Sequence, residues 1–303
     1  MENKADSRSD TLIHGTAAGG TVRCMAAVTT NLVAEAARRH DLWPTVAAAL
    51  GRTLTGTLLL GGTLKEFDRL TVQIVSDGLI GGITVEANAK GQVRGYVRNP
   101  EAHLPVNERG KFDVGAAVGG GMFYVTHESG YDLGLYREPY RASVPLVTGE
   151  IAEDFAHYLM KSEQIPSAVV LGVHLLPQAP FVSAAGGLII QMMPGADDTI
   201  ISSIEATVRQ MPQATMMIRE GATPSDLLRA ALGEIEFEIM GEKAVGFECH
   251  CSYERAASMI ASFDRAELES MLHEDRGAVM TCHFCNATYR LDEGDLMRLM
   301  NEG

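Results

Sequence analysis

The sequence predicts an α+β protein, in which an N-terminal domain of antiparallel sheets packs around a buried helix and is followed by a helical linker and a small C-terminal domain. Three observations lead to this fold class. Residues Pro44 to Leu64 are mostly apolar, residues 70–98 alternate between apolar and polar side chains, and four cysteines lie within residues 249–285. With 303 residues, the chain is long enough for about two domains.

Two helices are predicted at the start of the N-terminal domain. Residues Thr30 to Arg39 have the pattern of an amphipathic helix, which His40 to Trp43 interrupt. Pro44 suits the first turn of a second helix, because that position needs no backbone N–H donor. Since the second helix, Pro44 to Leu64, is apolar on nearly every side, we expect it to be buried between two layers.

An antiparallel meander follows the buried helix. The predicted strands are short alternating runs bounded by turn residues, and they lie at Leu70 to Ser76, Gly82 to Ala87, Gly91 to Arg98, Met122 to His127 and Tyr140 to Leu146. A helix over Thr148 to Lys161 is predicted next, with Thr148 at its start and acidic residues in its first turns.

The C-terminal half continues with mixed elements. They are predicted as a strand at Gly187 to Met193, helices at Thr199 to Gln210 and Pro224 to Leu232, an alternating run at Ile235 to Ile239, and short helices around Ser252 to Ile260 and Asp264 to His273. These patterns divide the chain into a polar tail (1–10), an N-terminal α+β domain (11–180), a linker region (181–244) and a C-terminal domain (245–303).

The four C-terminal cysteines have the spacing of a metal site. Cys249-x-Cys251 forms one clip, and Cys282-x-x-Cys285 forms a second clip thirty residues further on. Thiolates at the tips of two turns match the tetrahedral geometry that zinc prefers. We therefore expect a small C-terminal zinc-binding domain that holds one Zn²⁺ per chain, although two thiols so close together could also form a disulfide.

Other candidate ligands and thiols lie nearby or elsewhere. His250 and His283 lie inside the two clips and could replace a thiolate, but alternate side chains of such a turn point outward, so we expect both to lie outside the ligand set. Cys24 is flanked by Val22 and Met25, which predicts a buried and unreactive thiol in the core.

Composition disfavours several classes of partner and indicates where the protein is located. The net charge of −14 disfavours nucleic acid or an anionic membrane as the main partner. Pro44 to Leu64 contains Arg52 and several glycines and threonines, which argues against a membrane span. The first ten residues are polar and show no export signal, and clustered free cysteines suit a reducing compartment, so we expect a cytoplasmic protein.

Several segments resemble the 33 kDa chaperonin family of redox-regulated heat-shock holdases. They are AALGRTLTGTLLLGGTLK (Ala48 to Lys65), LTVQIVSDGLIGGITVEA (Leu70 to Ala87), VRGYV (Val93 to Val97), YLMKSEQIPSAVVLGV (Tyr158 to Val173) and the cysteine pattern itself. The resemblance extends from about Thr11 to Asp295, and KSEQIPS (Lys161 to Ser167) together with the cysteines makes it specific.

The resemblance implies a function as well as a fold. It implies a molecular chaperone, not an enzyme, that holds unfolding client proteins without ATP and protects them from aggregation under oxidative stress. The reduced, zinc-bound form would be inactive. Oxidation would form the disulfides Cys249–Cys251 and Cys282–Cys285 in the C-terminal redox-switch domain and expel zinc. The N-terminal domain would bind clients and support a homodimer.

Three other interpretations are compatible with parts of the sequence. The cysteines could form a purely structural zinc module. A thiol–disulfide oxidoreductase would use Cys282 and Cys285 at the start of a helix, but this leaves the other cysteine pair unexplained. A zinc-ribbon nucleic-acid binder is disfavoured, because residues 245–303 carry 5 arginines and no lysine against 11 acidic residues. The glycine-rich segments lack a phosphate-binding motif, so ATP use is not expected.

Overall fold

The computed structural model describes residues 9–106, 112–130, 133, 138–177 and 181–302. Residues 1–8 of the predicted polar tail lie outside the described residues. The chain divides into two compact units, Met1–Glu248 (the first unit) and Cys249–Gly303 (the second unit).

The strands of the first unit form two sheets. In chain order they are Thr11–Ala17 (β1), Val22–Val28 (β2), Arg69–Ser76 (β3), Ile83–Asn88 (β4), Gln92–Val97 (β5), Gly121–Glu128 (β6), Tyr140–Pro145 (β7), Ser167–Leu175 (β8), Val182–Met192 (β9), Phe237–Ala244 (β10) and Gly246–Phe247 (β11). The first sheet has the order β10-β1-β2-β9-β8, and the second sheet has the order β11-β5-β4-β3-β6-β7. Neighbouring strands are antiparallel, except that β11 pairs with β5 in parallel.

Helices cover and separate the two sheets. They are Thr30–His40 (α1), Pro44–Leu60 (α2), Val114–Val118 (α3), Ala152–Lys161 (α4), Asp198–Gln210 (α5), Ala214–Arg219 (α6) and Pro224–Leu232 (α7). Helix α2 packs against β8 and β9 of the first sheet and against β4 and β5 of the second. It is therefore the buried helix between two layers that its composition predicts.

Polar side chains of α2 are satisfied within the core. Three of its buried threonine hydroxyls each donate a hydrogen bond to the backbone carbonyl four residues earlier, and the bonds are Thr53 to Ala49, Thr55 to Gly51 and Thr57 to Thr53. The Arg52 guanidinium donates to the Glu150 carboxylate over 2.6 Å. These bonds allow a helix with polar residues to be buried without unpaired donors at these hydroxyls. Within the described residues, no helix is both long and apolar enough to cross a membrane.

Helices α5 to α7 pack on the other face of the first sheet. Their apolar side chains, among them Ile204, Leu227 and Leu232, form one cluster with Leu188 and Ile190 of β9. Strand β9 is consequently buried on both faces. Residues 181–244, which the sequence analysis expects to form a linker, contribute β9, α5, α6, α7 and β10 to the first unit.

The second unit is small and contains little apolar core. Its elements are Tyr253–Ile260 (α8), Arg265–Ser270 (α9), a π-helical turn at Met271–Asp275, Gly277–Thr281 (β12), Thr288–Asp292 (β13) and Glu293–Glu302 (α10). Strands β12 and β13 form an antiparallel hairpin. The buried apolar cluster of this unit is formed by Ile260, Leu268, Leu291 and Leu296.

The predicted fold class is confirmed, and most element boundaries shift by a few residues. Helix α2 ends at Leu60 rather than Leu64, because Gly61–Thr63 form a 3-10 turn. Helix α4 begins at Ala152 rather than Thr148. The Asp154 carboxylate explains this start, since it accepts hydrogen bonds from the backbone N–H groups of Val147, Thr148 and Ile151 and holds residues 147–151 in a non-helical turn.

Candidate metal centre

The two cysteine clips lie in different local structures. Cys249 and Cys251 lie in an extended segment that follows β11. Cys282 and Cys285 lie in the turn that joins β12 to β13. Backbone hydrogen bonds close this turn, from the Cys282 N–H to the Ala287 carbonyl over 2.9 Å and from the Asn286 N–H to the Cys282 carbonyl over 2.7 Å. Asn286 adopts a left-handed conformation with φ of 59°, which a short polar side chain tolerates.

The structure brings all four sulfur atoms together. They lie within 4.8 Å of one another and are the group of possible metal ligands found among the described residues. The Sγ atoms of Cys249 and Cys282 are 3.7 Å apart, and those of Cys251 and Cys285 are 3.3 Å apart. Four sulfurs around one zinc ion, each about 2.3 Å from it, would be about 3.8 Å apart. The cluster is therefore able to hold a metal ion with little movement.

The histidines inside the clips do not join this cluster. The side chains of His250 and His283 are exposed, and the group of possible ligand atoms in the described chain consists of the four thiols.

Cys24 belongs to the first unit, whereas the four clustered cysteines belong to the second. It is buried in β2 within the cluster beneath α5 to α7, and burial raises the pKa of its thiol to about 11. Cys24 is thus a core thiol, as its neighbours predict.

Tyr289 is a neighbour of the cluster that the sequence analysis missed. Its hydroxyl donates a hydrogen bond to the Cys251 Sγ over 3.1 Å. Tyr289 lies on β13 opposite Met280 of β12, so its position depends on the hairpin register. The sequence signal that could have identified it is its place four residues after Cys285 in the alternating run Thr288 to Asp292.

The thiols differ in their proton affinity when no metal is bound. Burial acts to raise the pKa of Cys251, but hydrogen bonds from Tyr289 and the neighbouring thiols lower it to about 7. Burial raises the pKa of Cys282 and Cys285, even though backbone N–H groups donate to both sulfurs. The hydrogen bond to Cys251 raises the pKa of the Tyr289 hydroxyl to about 12. Bound metal would favour the thiolate form of every ligand.

The position of the second clip argues against an oxidoreductase of the thioredoxin type. Such an enzyme places a C-x-x-C motif at a helix N-terminus, where the helix favours the thiolate. Cys282 and Cys285 instead lie in a hairpin turn, and Cys285 is buried. This arrangement is typical of a thiolate metal site, in which Cys249 and Cys251 could also act as ligands.

Comparison with known protein families gives a match along most of the chain. The family model described as Hsp33 protein matches residues 10–292. A 33 kDa chaperonin from Desulforamulus reducens is 46% identical over 291 residues, covering 96% of this chain and 97% of the relative. A 33 kDa chaperonin from Listeria monocytogenes is 46% identical over 297 residues, covering 97% of this chain and 99% of the relative.

A solved structure has the same fold. The crystal structure of a 33 kDa chaperonin (heat shock protein 33 homolog) from Thermotoga maritima superposes with a TM-score of 0.89 at 32% sequence identity. The match covers 97% of this chain and 99% of that structure. The agreement therefore includes the sheets, the helices between them and the C-terminal residues that carry the cysteines.

Proposed function

This chain belongs to the Hsp33 family, and we propose that it is an ATP-independent holdase chaperone that is activated by oxidation of its C-terminal cysteines. The observation that carries the proposal is the convergence of Cys249, Cys251, Cys282 and Cys285 in a unit that has only a small apolar core of its own. A unit of this kind depends on its cross-link for order, and thiolate chemistry can remove that cross-link.

The four cysteines are the proposed ligands of one zinc ion per chain. An all-sulfur tetrahedral set selects zinc among the common divalent ions. Bound zinc would hold the four sulfurs as thiolates and cross-link the two clips. Zinc would order this unit through its bonds to both clips, because the buried apolar cluster of the unit is small.

Oxidation of the thiolates would remove the cross-link between the two clips. Two thiolates lose two electrons to hydrogen peroxide, which is reduced to water, and one S–S bond forms through a sulfenic acid intermediate. We propose Cys249–Cys251 and Cys282–Cys285 as the pairs, because the members of each pair are neighbours in the chain. Each disulfide removes two ligands, so the metal would be released.

The proposed client-binding surface is the face of the first sheet that α5 to α7 cover. This face is apolar, with Leu188 and Ile190 of β9 and Val22 of β2 fully buried beneath the helices. Release of α5 to α7 after oxidation would expose a contiguous apolar surface suited to unfolded protein or to a second copy of the chain. Strand β9 itself would remain, because it is paired on both sides with β2 and β8.

The remaining features of the proposal follow from charge and cysteine chemistry. A net charge of −14 disfavours nucleic acid and anionic membranes as partners. Four reduced thiols at one site would persist in a reducing compartment, so we propose that the inactive form is cytoplasmic. No enzymatic step is proposed, since holding a client requires only binding.

An aggregation assay tests the proposed function. A chemically denatured client is diluted into reduced, zinc-loaded protein or into peroxide-oxidised, zinc-free protein, and light scattering is recorded without nucleotide. We expect only the oxidised protein to suppress aggregation at a stoichiometric ratio. The matched control is Cys24→Ser, which should keep both the zinc content and the switch, because Cys24 lies in the core of the first unit. Equal suppression by both forms would refute the switch.

A further inference from the structure

We propose that Tyr289 is a positioning residue of the cysteine centre, whose hydroxyl holds the Cys251 sulfur and slows release of the metal during oxidation. This inference rests on the proposed function, since it concerns the regulation of the same centre. It adds a residue outside the four cysteines that sets how readily the centre opens.

The geometry links the two clips through this side chain. The Tyr289 hydroxyl lies 3.1 Å from the Cys251 Sγ. Tyr289 belongs to β13, which is paired with β12 in the hairpin whose turn carries Cys282 and Cys285. The hydrogen bond therefore joins the first clip to the hairpin that carries the second, without passing through the metal.

Cys251 depends on side-chain donors more than the second clip does. Backbone N–H groups of the turn donate to the sulfurs of Cys282 and Cys285, as the tight C-x-x-C turn allows. The donors around Cys251 are the Tyr289 hydroxyl and the other three thiols. Metal binding deprotonates the thiols and ends their donation. Of these donors, the Tyr289 hydroxyl is the one that is not itself a candidate metal ligand.

A hydrogen bond to a thiolate has two consequences for the centre. It stabilises the negative charge on sulfur, which makes the sulfur a weaker nucleophile toward peroxide. It also fixes the orientation of the ligand, as hydrogen bonds to metal ligands do in other sites, where their loss typically weakens metal binding about 10–100-fold. Loss of the Tyr289 hydroxyl should therefore weaken zinc binding and accelerate its release.

The experiment compares two variants that each lose one tyrosine hydroxyl in the second unit. Tyr289→Phe removes the donor to sulfur. Tyr253→Phe is the matched control, because the Tyr253 hydroxyl is hydrogen-bonded to the Asp295 carboxylate and not to a cysteine. Zinc affinity is measured by competition with a chromogenic chelator, and zinc release is followed with the same chelator after peroxide is added.

We expect Tyr289→Phe to bind zinc about 10-fold more weakly than the unsubstituted protein and to release it at lower peroxide, with Tyr253→Phe unchanged. Cobalt-loaded protein gives a second readout, since the thiolate-to-cobalt charge-transfer band should move to lower energy in Tyr289→Phe. A hydroxyl with a purely structural role would leave this band in place. Unchanged affinity, release and band position, or equal changes in Tyr253→Phe, would overturn the proposal.

Failure of the proposed function would be recognised separately. The zinc measurements need no client protein, so they test Tyr289 even if the aggregation assay shows no switch. Conversely, a switch that operates normally in the unsubstituted protein, together with identical zinc behaviour in Tyr289→Phe, would refute only the role of the tyrosine. The cobalt band also reports whether Tyr289→Phe still assembles a four-sulfur site, which distinguishes a lost hydrogen bond from a lost fold.

Discussion

Removal of the metal from the reduced protein should unfold the second unit and leave the second sheet of the first unit folded. The large buried apolar side chains of the second unit are Ile260, Leu268, Leu291 and Leu296. At about 1.5–3 kcal/mol for each side chain, they contribute about 6–12 kcal/mol. Structural zinc sites contribute about 10–16 kcal/mol to small modules, whereas folded domains are stable by only about 5–15 kcal/mol. The contribution of the metal is therefore comparable to the whole free energy of unfolding of such a unit.

Hydrogen exchange measures this difference by residue. Reduced protein is compared before and after zinc is removed with a chelator, under conditions that prevent oxidation. We expect the backbone amides of β12 and β13 to lose protection, while those of β3 and β6 in the second sheet keep it. Cys285→Ser should behave as the chelated protein does, because it removes one of the proposed ligands, which is buried. Cys24→Ser should behave as the zinc-loaded protein does.

Persistent protection in the second unit would refute this reasoning. If β12 and β13 exchange slowly without zinc, the apolar cluster and the hairpin suffice for folding, and the metal cannot act as the switch that the proposed function requires. If protection is lost equally in β3 and β6, the two units unfold together. In that case the metal would stabilise the whole chain rather than the second unit.

Two further predictions concern the first unit. Gly56→Ala should destabilise the protein by about 1–3 kcal/mol in urea unfolding, because the new Cβ would lie 2.6 Å from the Phe155 ring; unchanged stability would show that the ring moves freely. Burial raises the pKa of Asp10 from 3.8 to about 6, so its charged form disfavours folding, and this cost appears as pH rises through that range. Asp10→Asn should therefore gain about 2–3 kcal/mol relative to the unsubstituted protein between pH 4 and pH 7.5, and a pH-independent difference would contradict the burial effect.

The sequence predicts those elements well whose pattern reflects a single environment. The meander of β3, β4 and β5 alternates because one face of the second sheet is buried and the other is partly exposed. Helix α2 is recognisable because its apolar residues surround it on all sides and Pro44 marks its start. In both cases the hydrophobic pattern alone specifies the secondary structure and the layer.

The first sheet was harder to predict, since its central strands are covered on both faces. Strand β2 and strand β9 are buried by α2 on one side and by α5 to α7 on the other, so they lack the alternation that identifies a strand. The sequence analysis expected a linker at 181–244 for the same reason. Its strand β9 pairs with β2, more than 150 residues earlier in the chain, and no local pattern reveals such a pairing.

The four thiols could be identified from the sequence, but their surroundings could not. Cysteine spacing is a local property, because each clip is closed by a few residues. The hydrogen bond from Tyr289 depends on the register of β12 with β13 and on where the extended segment at Cys251 crosses the hairpin. Both depend on the tertiary structure and not on the local sequence. The same limit applies to Asp154, whose carboxylate moves the start of α4 through three backbone hydrogen bonds.

The path by which disorder could pass from the second unit to the first is short. Only Glu248 separates β11 from Cys249, and this last part of the first unit is held by the pairing of β11 with β5 and by three further backbone hydrogen bonds. They join the N–H groups of Val245, Gly246 and Glu248 to the carbonyls of Asp10, Gly91 and Val93. At about 0.5–1.5 kcal/mol each, these three bonds contribute about 1.5–4.5 kcal/mol, and the buried side chain of Phe247 adds to the anchor. Disorder that begins at Cys249 must break them before it reaches β10 and α5 to α7. In the proposed mechanism, metal loss and exposure of the first sheet are therefore separable events, and the stability of this anchor would set how closely the second follows the first.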